Sequence, residues 1–316
     1  MINKKSSIEI EDNYNGLIIS YNEYIERRIT KMLCVFYFIL GVEIMENSIY
    51  KTHFNRLKDG RGQGRGEDYI PFIQANDNKV ASEGWLTRTP GWHSNRIHHT
   101  LSKYEFQYLL MQEWAEPIID IREQYPLPIE ETQRIARKLN IRHPHLDGHD
   151  VVLSSDFMLT SIDRKDLEIE LPRTVKPTYK LSKRTLELFE IERRFYQENG
   201  LHWKVVYDTG RPINFIKNID WLHDAKRPDI RPGLDSQVVE MVAKPIFERL
   251  KKNGTAISIS KSCLKCDAHI GLEPGTSMFM VKHMLANKRW IADMNVRIRE
   301  SAPLSLDLPK KVTVVN

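Results

Sequence analysis

Asp156 and Lys176 flank a stretch, residues 151–176, that reads as a β-hairpin. The first arm is the largely apolar run 151–160, the turn is built on Asp163-Arg164-Lys165-Asp166, and the second arm covers residues 167–175. A hairpin of this kind brings a carboxylate and an amine to one edge of a sheet. That pair suits metal-assisted phosphodiester hydrolysis. The carboxylate anchors a hard cation such as Mg²⁺, and the amine stands where an attacking water must lose a proton.

A second acid, Glu105, opens the clearest helix of the first half, expected over residues 101–116. Ser102 followed three residues later by Glu105 is a capping box, Tyr104, Tyr108, Leu109 and Met111 supply an apolar stripe, and Pro117 ends the helix. Glu105 therefore has two readings. It satisfies a backbone donor at the helix start, or it shares a cation with Asp156. Spacing alone favours the cap.

The elements that must position these residues follow in order. Residues 118–126 read as a strand and 129–139 as a helix. His143, His145, Asp147, His149 and Asp150 then crowd a short stretch with the residue types of metal ligands, but no helical or strand spacing gathers them on one face, and a solvated loop is expected. Ser182 caps a helix over residues 183–199, closed by Gly200 as a left-handed C-cap. Its Leu186, Phe189, Ile191 and Phe195 are expected to face a core, with Glu187, Glu190, Glu192, Arg193 and Arg194 on a solvated face. Residues 203–207 read as a strand buried on both faces. Strand, hairpin, helix and strand make a layered α/β arrangement.

Composition shifts over residues 224–235, with two prolines, a glycine and basic residues, and the domain boundary is placed there. Beyond it come helices expected at 237–252, near 260–265 and at 276–287, then extended pieces around Trp290 and Val296. Three helices and a small hairpin are the winged-helix pattern. Its third helix, with Lys282, His283 and Lys288, is open to two uses, entering a DNA groove or docking a protein. The expected division is an extension over residues 1–44, a core domain over 45–223 and a winged-helix domain over 224–316.

The chain of 316 residues is long enough for two domains of ordinary size. With 41% hydrophobic and 28% charged residues it has the composition of a soluble globular protein. A net charge of +5 leans towards an acidic partner such as nucleic acid without deciding it. The apolar run 32–42 is about half of a membrane span and lacks the flanks of a secretory signal. It reads either as a buried element or as part of an extension ahead of a true start at Met45. Three cysteines form no disulfide framework, so a reducing, cytoplasmic setting is expected. Cys263 and Cys266, with His269 and His283 nearby, are half of a zinc site, and small residues beside a helix are the better reading. Glycines at 60, 62, 64 and 66 interleave with Arg61 and Arg65 in a loop able to approach phosphate, without the ending of a nucleotide-binding loop. Trp85, Arg88, Trp92, Arg96, His98 and His99 follow in irregular sequence suited to backbone-phosphate contacts.

Taken together these residues resemble the TnsA family, the endonuclease subunits of heteromeric cut-and-paste transposases. The resemblance runs from about Asn55 onward. It is carried by Gly60-Arg61-Gly62-Gln63-Gly64, by His98-His99 with Leu101-Ser102 and Glu105, and by Asp120-Ile121-Arg122-Glu123-Gln124-Tyr125-Pro126-Leu127. Ser155-Asp156-Phe157, Val175-Lys176-Pro177, Arg184-Thr185-Leu186 and Glu192-Arg193-Arg194 extend it. The family implies a restriction-endonuclease-like core, a mixed sheet flanked by helices, with Glu105, Asp156 and Lys176 as catalytic residues and Glu105 and Asp156 on Mg²⁺. This reverses the preference at Glu105. The glutamine that the family carries two residues before the lysine is Thr174 here, so Thr174 and the Val175 backbone are the further metal-donor candidates. DNA-contact candidates are Arg61, Arg65, Arg96, His98 and His99. The implied reaction is hydrolysis at transposon 5′ ends, with partners in a transposase subunit that cuts the 3′ ends and an ATPase regulator, and no membrane. Lys176 would serve as base or as electrostatic stabiliser. The rival readings are a stand-alone Mg²⁺-dependent nuclease and a winged-helix DNA-binding regulator with a degenerate core.

Overall fold

Extended and helical segments of the first two thirds of the chain assemble around one mixed sheet. The structure, a computed structural model, describes residues 49–77, 85–146 and 148–309. Helix α1 (Ile49–Lys58) is followed by an antiparallel pair, β1 (Thr87–Pro90) and β2 (Ile97–Thr100). Then come α2 (Lys103–Trp114), β3 (Ile118–Pro126), α3 (Ile129–Lys138) and a short ladder of β4 (His145–Leu146) on β5 (His149–Asp150). The expected hairpin is β6 (Ser154–Ile162) and β7 (Glu168–Lys176), its turn tied by Asp163 Oδ1, which accepts from Lys165 N–H and Leu167 N–H at 2.7 and 3.0 Å. Helix α4 (Lys183–Glu198) crosses over to β8 (Lys204–Tyr207). The sheet order is β3-β6-β7-β8, antiparallel except for the parallel β7-β8 pair, which is the pair that requires a crossover.

Each face of the sheet is covered. On one, Tyr108 and Leu109 of α2 pack on Ile121, Phe157, Leu159 and Val175. On the other, Tyr196 of α4 meets Met158 and Leu127, while Ile191 joins Ile135 and Ala136 of α3. Three expectations are corrected. Residues 203–207 are not a doubly buried strand, because β8 is an edge strand paired to β7 alone, with Lys204 and Tyr207 exposed. In α4 Leu186 is exposed and Glu192 is buried, since the helix turns Glu192 and Tyr196 to the sheet. The irregular stretch through Arg88 and His99 contains the β1-β2 ladder. Of the histidine-rich stretch, His143 is buried against Thr132 Oγ1 and His145 and Asp150 pair with each other, while Asp147 lies outside the described residues.

The glycine loop folds back on β3. Gly62 has φ +78°, and a Cβ there would lie 2.2 Å from Pro126 Cγ, whereas Gly60, at φ +74°, has open space around it. Gly62→Ala is expected to lose about 2–4 kcal/mol, the left-handed penalty plus overpacking, and Gly60→Ala only the penalty of about 1–2 kcal/mol. Urea unfolding of the two variants side by side checks the difference.

The remaining helices are α5 (Ile213–Leu222), which the sequence reading did not anticipate, α6 (Ser236–Asn253), α7 (Ile259–Ile270) and α8 (Thr276–Ala286). Val242, Ile246, Cys263, Cys266, Met280, Met284 and Trp290 share one core. Both cysteines are buried, and burial first pushes the Cys263 thiol up to about 12. His269 is exposed, and buried His283 donates from Nδ1 to Ala225 O at 2.9 Å. Among the described residues no group of three or more His, Cys, Asp or Glu could hold a metal ion. Of the two extended pieces expected after α8, the one near Trp290 enters an isolated bridge, Ile291 to Asp307, and the one around Val296 forms no strand. Helix α8 is largely buried: Lys282 Nζ lies 4.7 Å from the Trp221 ring, and Lys288 donates to Trp114 O at 3.0 Å and pairs with Glu116 at 2.7 Å. Along this third helix Met278, Phe279 and Lys282 are half-buried and the other residues are buried. Ser48–Asn316 form one compact unit, and among the described residues no helix is long and apolar enough to cross a membrane. The apolar run 32–42 and Met45 lie outside the described residues.

Candidate active site

The β6-β7 ladder runs from the Ile162 and Glu168 pair to the Phe157 and Arg173 pair. Beyond it Asp156 takes over the contact, its Oδ2 accepting from Val175 N–H at 2.6 Å. Lys176 ends β7 and is paired with Tyr207 of β8. From the other side comes the first turn of α2, where Ser102 Oγ accepts from Glu105 N–H at 3.2 Å. The reciprocal bond of the capping box is displaced by one residue, with Glu105 Oε2 accepting from Leu101 N–H at 2.9 Å. The same oxygen accepts from Gln124 Nε2 at 3.2 Å. Capping and membership of the site thus meet in one carboxylate.

The electrostatics tie the three residues together. Burial raises the Asp156 carboxyl well above the usual carboxylate range, and the negative charges of Glu105 and Glu192 add to it, with the Val175 N–H and the Lys176 charge opposing. Burial likewise raises Glu105, against the hydrogen bonds from Leu101, Ser102 and Gln124 and the Lys176 charge. Two crowded acids that resist full ionisation are what a divalent cation between them would relieve. Their carboxylate oxygens suit a hard ion that keeps part of its water shell.

Thr174 is turned away from this pair. Its hydroxyl donates to Glu192 Oε1 at 2.6 Å and accepts from Trp203 Nε1 at 3.0 Å. Ser155 Oγ donates to the same Glu192 oxygen and bonds the Tyr196 hydroxyl at 2.7 Å. Thr174, a metal-donor candidate, thus has its hydroxyl engaged in a buried hydroxyl–carboxylate network, and the Val175 backbone meets Asp156 through its N–H. Glu192, raised by burial and influenced by Lys176, is the acid that the sequence reading left on the solvated face. Its spacing of four from Tyr196, beside Ile191 and Phe195, is the signal that could have found it.

Most of the DNA-contact candidates face inward. Arg96 donates through both terminal nitrogens to Glu123 at 2.8 and 2.6 Å. His98, fully buried, meets Glu123 Oε2 through Nδ1 at 2.8 Å and Glu113 Oε1 through Nε2 at 3.2 Å. Burial alone would lower the His98 pKa, but the Glu123 charge and the hydrogen bonds that its ring donates to both acids raise it overall. His99 donates its N–H to Glu123 Oε1 at 2.9 Å and accepts from Ala75 N–H at Nδ1. Arg61 Nη1 donates to both carboxylate oxygens of Asp77, each at 2.8 Å. Arg61, Arg96 and His98 are thus held in internal ion pairs, and His99 in hydrogen bonds. Arg65, on Glu168, keeps 51% of its side chain exposed and stays accessible. Nearer the site the sequence reading missed Arg211, whose guanidinium lies 4.6 Å from the Tyr104 ring, and the exposed Lys103 beside Trp85.

Family models match two stretches of the chain. A TnsA-like endonuclease N terminal covers residues 115–208, which include Asp156 and Lys176 but start after Glu105, and a TnsA endonuclease C terminal covers residues 212–294. The chain is 35% identical over 236 residues to the transposon Tn7 transposition protein TnsA of Escherichia coli, across 73% of this chain and 82% of that protein.

Proposed function

The chain belongs to the TnsA endonuclease family, and from that premise we propose that it hydrolyses phosphodiester bonds at the 5′ ends of a transposon, using Mg²⁺, with a separate transposase subunit cutting the 3′ ends and an ATPase regulating both. The observation that carries this reading is that segments far apart in sequence converge: Asp156 accepts from the Val175 N–H next to Lys176, and Gln124, between the residues of β3 that pair on either side of Asp156, donates to Glu105.

Glu105 and Asp156 would hold the ion. When bound it neutralises charge on the scissile phosphate and acidifies a coordinated water. Lys176 would act beside them as base or as electrostatic stabiliser, offsetting charge that develops on the phosphate. Gln124 and Leu101 keep the Glu105 carboxylate from rotating away. Lys103 with Trp85 and Arg211 with Tyr104 supply a cationic and aromatic rim for the strand being cut. We assign catalysis to residues 45–223. We read residues 224–316 as a winged-helix variant whose wing is reduced to the Ile291–Asp307 bridge, and give them partner docking through exposed positions such as Met241 and Leu264.

The test is reconstitution of the full chain with DNA carrying transposon ends, Mg²⁺, and a candidate transposase subunit and ATPase. Expected are 5′-strand breaks at the ends that need the transposase and disappear with a chelator. Robust cutting by the chain alone would favour a stand-alone nuclease, and no cutting under any combination would overturn the reading.

A further inference from the structure

Gln124 occupies a conformation that its strand should not allow. It is 3% exposed, lies inside β3, and has φ +51°, the left-handed region that side chains other than glycine or asparagine rarely enter. The consequence is visible in which way its neighbours point. Ile121 packs under α2, and Glu123 meets Arg96 and His98. Strict alternation would then send Gln124 to the opposite face with Arg122. Instead Gln124 reaches Glu105 of α2, and Tyr125 turns to the other face, where Arg122 lies 5.4 Å from its ring. The backbone flip puts two consecutive side chains, Glu123 and Gln124, on the α2 side. It occurs between the Glu123–Phe157 and Tyr125–Ser155 pairs, directly across from Asp156.

The side chain so displaced is held at both ends. Ser154 Oγ donates to Gln124 Oε1 at 3.4 Å, and Gln124 Nε2 donates to Glu105 Oε2 at 3.2 Å. An amide is the right group for this place. It donates to a carboxylate without neutralising it, so Glu105 is oriented yet keeps its charge for a cation. The Gln124 carbonyl also accepts from Phe72 N–H at 3.4 Å, but that bond needs no particular side chain, and a strained backbone that aims one amide at one acid marks a functional constraint.

We propose that Gln124 is a positioning residue for divalent-cation binding, fixing the Glu105 carboxylate so that one of its oxygens stays turned toward Asp156. This rests on the nuclease reading above. Glycine takes a positive φ without strain, so Gln124→Gly preserves the backbone flip and removes only the amide. Gln124→Met keeps the side-chain volume and removes the amide. The full chain and each variant are titrated with Mn²⁺, with free ion read by electron paramagnetic resonance, and melted thermally, with Asp156→Ala as reference. Both Gln124 variants are expected to bind Mn²⁺ about 10–100-fold more weakly. In the reconstituted reaction they should need correspondingly more Mg²⁺ for half-maximal cutting, with the rate at saturating ion largely kept. Wild-type Mn²⁺ affinity in folded Gln124→Gly would overturn the proposal, because the residue would then serve only the backbone turn. If Gln124→Gly does not fold, Gln124→Met decides by the same criterion. If Asp156→Ala also binds Mn²⁺ like the wild type, or the wild type binds none, the nuclease site itself is wrong, and the proposal falls with it.

Discussion

Asp156→Asn is expected to abolish strand cleavage, by about 10³-fold or more, while leaving the protein as stable as the wild type or more so. Asn keeps an oxygen to accept the Val175 N–H, so the junction between β6 and β7 survives. What is lost is a carboxylate raised well above its ordinary value by burial and by Glu105. For such a group the folded state binds more protons than the unfolded one, so stability falls as pH rises from the unfolded carboxylate pKa, about 3.8, through the folded value. Removing it lifts a penalty that is present at neutral pH. A gain or no change in the urea midpoint at pH 7, together with dead cleavage, is the expected pair of results. Lys176→Ala should be equally inactive, but its stability should drop, because Glu105, Asp156 and Glu192 all lose a compensating positive charge. Full cutting by either variant in the reconstituted reaction would show that the site lies elsewhere.

The second large effect concerns the fold beneath the site. Glu123→Gln should cost about 3–5 kcal/mol, because Arg96 and His98 would be left as buried charges without their shared counter-ion. Burial opposes the ionisation of Glu123, yet His98 and Arg96 outweigh it and hold its pKa far below the usual range. Its contribution is fully present above the unfolded glutamate pKa, about 4.5, and is lost as pH falls towards the folded value. His98 runs the other way: raised in the folded protein, it contributes below the unfolded histidine pKa, about 6.5, and loses that contribution as pH rises through the folded pKa. Urea midpoints measured from pH 4 to pH 9 should therefore fall at both ends for the wild type. In Glu123→Gln the acid limb should flatten and the whole curve drop. An unchanged midpoint would mean that solvent reaches the network and screens it.

Internal pairing of this kind explains why the residue types of His98, His99, Arg61 and Arg96 could not show which way they face. Aromatic and basic residues in turn-rich sequence have the composition of a phosphate-binding surface. Here the acids that neutralise them, Asp77, Glu113 and Glu123, come from other segments, and only packing brings them within reach. Thr174 and Glu192 show a related limit, since the helix pattern of α4 identified Ile191 and Phe195 correctly but could not see that a sheet hydroxyl waits for the acid between them.

What the sequence determined by itself is local. Ser102 and Ser182 as caps, Pro117 as a stop, the Asp163 turn and the apolar runs of β3, β6 and β7 specify their elements through contacts within a few residues, and each formed as expected. The family likeness then named Glu105, Asp156 and Lys176. Tertiary structure decided the rest: which arginines are neutralised, that Glu192 is buried, and that β3 flips at Gln124 against its own alternation. Periodicity reports the burial of one element at a time. Cancellation of charge and tolerance of backbone strain depend instead on neighbours from distant segments, and those neighbours exist only once the chain has folded.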